Sequence, residues 1–126
     1  MSYKLFSNAW SRENMMELTP EQKAQVELEL QHLQTWSHQG LGIPPHMHLG
    51  LTMYKVIGLR PGDFLLSALK NDLRSAAEYA DDDNFPLLGV YVAYFYNHLP
   101  SPAWGSPEKV EKWIGQHLGY MERSSE

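Results

Sequence analysis

The 126-residue chain contains no cysteine, which excludes disulfide staples, thiolate metal sites and a cysteine nucleophile together. That composition suits a reducing compartment. No stretch approaches the ~18 consecutive apolar residues of a membrane-spanning helix, and residues Met1 to Trp10 lack the apolar run of a secretion signal. A cytoplasmic location is the expectation. Nor is there a cluster of Lys or Arg: ten basic residues face fifteen acidic ones, for a net charge of −5, and most of the negative excess falls in residues 81–126. Neutralising phosphates supplies most of the affinity for a nucleic-acid backbone, so this chain is not expected to grip DNA or RNA.

Signatures of catalysis are also missing. There is no Gly-x-Ser-x-Gly elbow, and Pro61-Gly62-Asp63 lacks the Lys-Ser/Thr that completes a phosphate loop. The run Asp81-Asp82-Asp83-Asn84 places Pro86 where a calcium loop needs its glycine, and reads better as an acidic helix-capping turn. Six His residues invite a metal hypothesis. The closest pair, His46 and His48, follows Pro44-Pro45, a helix-start signal, and two residues on a helix point about 200° apart. No metal ligand, cofactor or catalytic residue is assigned from these patterns.

Aromatic residues, by contrast, are generous: four Trp, seven Tyr and four Phe, each bringing a large apolar area to a small core. Helix-start signals then punctuate the chain. Thr19-Pro20-Glu21-Gln22 has the form of a capping box with Pro at the first helical position, and predicts a helix to about Trp36. Its stripe is Val26, Leu30 and Leu33. The alternation over residues 26–30 also fits a strand, but the Glu, Gln, Leu and Lys content favours helix.

Residues 37–43, with Gly40 and Gly42, read as a loop. Pro44-Pro45 opens a second helix with Leu49, Met53, Val56 and Ile57 inward, and Gly58 stands where a left-handed cap belongs. Pro61 starts a third, whose Leu65, Leu69, Leu73, Ala76 and Ala80 share one face. Residues 87–96 contain no charge. Their Val, Tyr and Phe content suits a buried strand, yet the segment's length and the acidic turn before it favour a buried helix. Ser106-Pro107 begins the last helix, to about Leu118, with Val110, Trp113, Ile114 and either His117 or Leu118 inward. The expectation is an all-α domain over residues 19–120, a bundle of about five helices around a central buried helix at 84–98. An irregular aromatic arm (1–18) precedes it and a frayed tail (121–126) follows.

Polar residues at the helix junctions are the candidate functional set. Asn and Asp are mediocre helix formers, so Asn71-Asp72 in the middle of the third helix demands a reason. Arg60 and Asp63 flank that helix's start, Arg74 follows its middle, Asn97 ends the buried helix, and Trp104 precedes the last. The plain reading is that Asn71 or Asn97 satisfies orphan groups at helix ends. The sharper one is a partner-binding surface anchored by Arg60, Arg74 and Trp104, residue types enriched at interface hot spots, with Trp10 of the arm as a second contact.

Taken jointly, several blocks resemble a group of small proteins encoded by tailed bacteriophages and prophages. They are Gly58-Leu59-Arg60-Pro61-Gly62-Asp63-Phe64-Leu65, Lys70-Asn71-Asp72-Leu73, Ala80-Asp81, Asn84, Tyr96-Asn97-His98-Leu99-Pro100-Ser101, and Trp104-Gly105-Ser106-Pro107-Glu108-Lys109-Val110 through Trp113. The resemblance spans about residues 41–118, leaves residues 1–40 outside, and brings no catalytic residue with it. It implies a protein that works in the bacterial cytoplasm by binding, either on host machinery or against host defence. The leading expectation is therefore a non-enzymatic binding protein that modulates a host or phage protein, with self-association into a homo-oligomer also admitted. The alternatives are sequestration of a small cyclic-nucleotide-type ligand, using Arg60, Arg74 or a His beside Tyr91 or Trp104, and a hydrolase built on His and Asp.

Overall fold

Thr19 starts the first helix as the capping-box pattern predicts. In the computed structural model, which describes residues 18–124 and side chains as far as Gln116, the Gln22 backbone N–H donates to Thr19 Oγ1 at 3.1 Å and the Thr19 N–H donates to Gln22 Oε1 at 2.9 Å. Helix α1 runs Pro20–Thr35, with Val26 and Leu33 buried. The turn after it is tight: His38 and Leu41 exchange backbone hydrogen bonds of 2.8 and 3.0 Å, and Gly40 takes φ +81°, a backbone region where a Cβ is costly.

A short 3₁₀ turn, Pro45–Met47, leads into α2 (His48–Ile57). Gly58 then closes α2 at φ +69°, its N–H donating to Tyr54 O at 2.9 Å. The third predicted helix is two. Helix α3 covers Asp63–Leu69, with Pro61 outside it, and α4 covers Leu73–Tyr79. Asn71 sits at φ +64°, a left-handed conformation that Asn tolerates better than most residues. Its N–H donates to Ala68 O at 3.1 Å, and the Asp72 N–H to Ser67 O at 3.0 Å. Asp72 then caps α4, its carboxylate accepting from the Ser75 N–H at 3.2 Å. The stripe inferred from Leu65 to Ala80 ends at this break, and Leu73 is 69% exposed.

Residues 87–96 are helical, as expected: a 3₁₀ turn, Phe85–Leu87, precedes α5 (Leu88–His98). This helix is buried along one face only. Val90, Tyr91, Tyr94 and Phe95 enter the core, whereas Val92 and Tyr96 lie on the surface. Helix α6 (Pro107–Ser124) extends beyond the expected Leu118. Ser106 Oγ accepts from the Lys109 N–H at 3.2 Å, and Val110 is buried. The expected inward position of His117 or Leu118 lies outside the described side chains, and the arm with Trp10 lies outside the described residues.

Six α-helices and three 3₁₀ turns thus make up the described all-α domain. Helix α1 packs on α2; α3 packs against α4, α5 and α6. One apolar cluster centres on Leu51, Tyr54, Leu65, Leu69, Tyr91 and Phe95. A smaller one joins Leu18, Val26, Met53 and Ile57. Buried hydroxyls and indoles must find partners, and these bonds stitch distant segments together. Tyr54 O–H donates to Ala103 O at 2.6 Å, Trp113 Nε1–H donates to Tyr54 O at 2.9 Å, and the Gly105 N–H reaches Leu69 O at 2.8 Å.

Candidate functional site

The left-handed turn at Gly58 sends the chain back across α2, and residues 59–62 run beside it before α3 begins. Between these segments and the turn after α4 lies a groove of about 400 Å³, within the size range of small-molecule and peptide-anchor sites. Met47, Leu49, Met53, Leu59, Phe64 and Leu65 supply apolar lining. His46, Arg60, Asp63, Tyr79 and Asp81 add polar and aromatic groups, together with the buried Asn84. Gly50 and Gly62 also line it, and a Cβ at either would meet open space.

Asn84 links the groove to the core. Its N–H donates to Asp81 Oδ1 at 2.8 Å, which shapes the 81–84 turn, and its Oδ1 accepts from the Tyr91 hydroxyl at 2.5 Å. Burial, and then the negative Asp81, push the Tyr91 hydroxyl well above its ordinary titration range, so it stays a neutral donor. Across the turn His46 Nε2 lies 3.3 Å from Asp81 Oδ2. His46, Asp81 and Asp83 present ligand-type atoms within 4.8 Å of one another, all three exposed. His48 turns the other way, its Nε2 2.7 Å from Ile43 O inside the protein. The two histidines diverge, as their helical spacing predicts. His46 meets two carboxylates from a turn 35 residues away, a pairing that local spacing does not encode.

The charge balance at the groove is acidic. Arg60 and Asp63 both line it, but the Arg60 guanidinium is engaged by Glu111 of α6 at 2.5 Å. Glu111 also receives Lys70 at 2.9 Å. The hydrogen bonds from Lys70 and then Arg60 hold the Glu111 carboxyl below its ordinary range. Half-exposed pairs of this kind contribute at most about 1 kcal/mol; their effect here is to neutralise Arg60 and tie α6 to the segment before α3. Asp63, Asp81 and the adjacent Asp82 and Asp83 are exposed.

The junction residues singled out from sequence divide in use. Arg60 and Asp63 belong to the groove. The junction around Leu69–Lys70 lies near Arg60 and the 104–105 segment, through the shared Glu111 and the Gly105–Leu69 bond. Asn71 and Asp72 serve the break between α3 and α4, and Arg74 is exposed beside Asp72, helping the Ser75 hydrogen bonds hold that carboxyl down. Asn97 Nδ2 donates to Ala93 O of its own helix at 2.8 Å. Trp104 is half-buried, its ring 5.8 Å from that of Phe95. Sequence reasoning missed the groove residues His46, Tyr79, Asp81 and Asn84; the acidic run was visible, its neighbours were not.

A second polar nest sits where α1 meets α5. The His32 and His98 rings are 4.6 Å apart edge to face, and Trp36 packs 5.2 Å from Tyr94 and 5.8 Å from His98. Alongside, Lys55 pairs with Glu29 at 2.8 Å. Among the described residues the buried His32 Nε2 has no hydrogen-bond partner. Burial, then the neighbouring His32 and Lys55, lower the His98 pKa from its ordinary 6.5, against a smaller opposing pull from Glu29. A lowered folded value means that the native state binds fewer protons than the unfolded one near pH 6. The neutral ring's contribution is therefore complete above about pH 6.5 and is lost as the pH falls through the folded value. Urea midpoints are expected to fall more for the wild type than for His98→Gln between about pH 7.5 and about pH 5. Parallel profiles would show that the ring titrates freely.

Compared with protein-family models, curated proteins and solved structures, the chain matches none of them. No described helix is long and apolar enough to cross a membrane.

Proposed function

We propose that this chain is a non-enzymatic binding protein of phage origin that modulates a host or phage protein by seating part of it in the groove. The groove carries the reading. An apolar floor with a few polar groups at its mouth takes one or two apolar side chains of a partner and fixes their direction. Because Asp63 and Asp81 line the mouth while Arg60 is spent on Glu111, the matching partner segment carries Lys or Arg next to its apolar anchor. Nucleotide sequestration draws less support. A phosphate would meet those carboxylates, Tyr91 is fully buried, and Trp104 packs on Phe95.

The test compares the wild type with Tyr79→Asp, Asp63→Lys and, outside the groove, Tyr96→Ser. Each is used as bait in a bacterial lysate, and the captured protein is then purified for affinity measurement. Both groove variants are expected to weaken binding by roughly 30-fold, about 2 kcal/mol. Tyr96→Ser should bind like the wild type, and all thermal midpoints should stay within a few degrees. Equal capture by all four would refute the groove as the contact.

A further inference from the structure

We infer that residues 2–12 of this chain fill the groove of their own molecule when no partner is bound. The inference rests on the groove assigned above and gives the proposed site its regulation, but it concerns the free protein and needs no partner.

The chain reaches the described fold at the groove's own wall. Leu18 is 5% exposed and packs in the cluster of Val26, Met53 and Ile57, against which Leu49 and Leu59 also lie. Three of those residues, Leu49, Met53 and Leu59, line the groove. Reach is ample: the eight residues from Trp10 to Leu18 span up to about 27 Å when extended.

Chemistry then matches the segment to the site. Residues 2–12 hold Tyr3, Leu5, Phe6 and Trp10, with Lys4 and Arg12 and no acidic residue. An apolar groove bordered by Asp63 and Asp81 suits that combination of aromatic bulk and positive charge. A tether also makes a weak contact sufficient. A short linker holds its segment at an effective concentration on the order of millimolar, so even a modest intrinsic affinity keeps the groove filled. The arm is thus an internal competitor, and a partner must displace it.

The absence of native cysteine gives a clean test in the full-length chain. Ser7→Cys is paired with Gly62→Cys, where an added Cβ meets open space at the groove, or with Gly89→Cys, which is equally open but outside it. A third chain pairs Ser7→Cys with Tyr79→Cys from the opposite segment of the groove. Under mild copper–phenanthroline oxidation at low micromolar protein, both groove pairs are expected to close as intramolecular disulfides at least about tenfold faster than the Gly89 pair. Adding Lys4→Glu and Arg12→Glu should slow both.

Equal rates for groove and control pairs would overturn the inference. So would a disulfide-linked dimer, which would assign the arm to the groove of a second copy. Because the readout uses free protein, its failure leaves the partner reading standing, and failure of partner capture leaves this result intact.

Discussion

Replacing Phe95 with alanine is expected to cost about 3–5 kcal/mol of stability, and replacing the adjacent Tyr96 less than about 0.5 kcal/mol. Both changes remove an aromatic ring from the same helix, so helix propensity and residue size nearly cancel in the comparison. What differs is the environment. Phe95 is fully buried, with Tyr91 and Trp104 rings 6.3 and 5.8 Å away, while Tyr96 is 77% exposed. A core truncation loses transfer free energy and leaves a cavity that the neighbours only partly fill. A surface truncation leaves nothing to collapse. Urea denaturation of the two variants measures the contrast directly. Similar losses from both would mean that α5 is enclosed on every side, contrary to the one-faced burial described above.

Asn84→Ala should behave quite differently from an ordinary surface change, although it lines the groove. It strands the buried Tyr91 hydroxyl, which donates to Asn84 Oδ1, and an unpaired buried polar group costs about 1–3 kcal/mol. Tyr91→Phe strands the amide oxygen in turn. The double variant Asn84→Ala/Tyr91→Phe leaves neither group orphaned. Its loss is expected to fall short of the sum of the single losses by about 0.5–3 kcal/mol. Additive losses would show that the bond contributes nothing of its own. If Asn84 holds the 81–84 turn against the groove, the single variant should also weaken partner binding more than its stability loss predicts. Tyr91→Phe breaks the same side-chain bond and, like Asn84→Ala, keeps the backbone Asn84 N–H bond to Asp81, so it should weaken binding to a similar extent.

Several local signals that act within one turn of the chain were readable. Thr19 with Gln22, Gly58 and Ser106 do in the structure what short-range hydrogen bonding and backbone sterics require of them. The helical state of residues 87–96 followed from their length and the turn before them. Periodicity misled between Leu65 and Ala80 because the 3.6-residue stripe continues through Asn71-Asp72. The competing interactions, a left-handed Asn71 and the Asp72 cap, leave no trace in hydrophobic spacing. The lack of charge over residues 87–96 likewise suggested burial all round. Yet a helix in a thin bundle needs only one apolar face in the core, and uncharged residues are tolerated on the other.

The candidate site was legible only in part, because its pieces come from three separated segments. Arg60 and Asp63 stood out as polar residues flanking a helix start. Nothing in the order of residues joins them to Leu49 and Met53, or to Tyr79 and Asp81. Arg60 drew notice as a candidate anchor, but its ion pair with Glu111 crosses 51 residues and takes its positive charge out of the groove's balance.

By itself the sequence determined the helical class, the helix ends at Thr19, Gly58 and Ser106, and the exclusion of thiol chemistry. These depend on propensity, composition and contacts between near neighbours. Tertiary structure alone decided which face of each helix is covered, where the third helix breaks, and that an acidic apolar groove exists between α2, α3 and the turn after α4. Each of those depends on groups brought together across tens of residues, where packing and paired charges outweigh local preference.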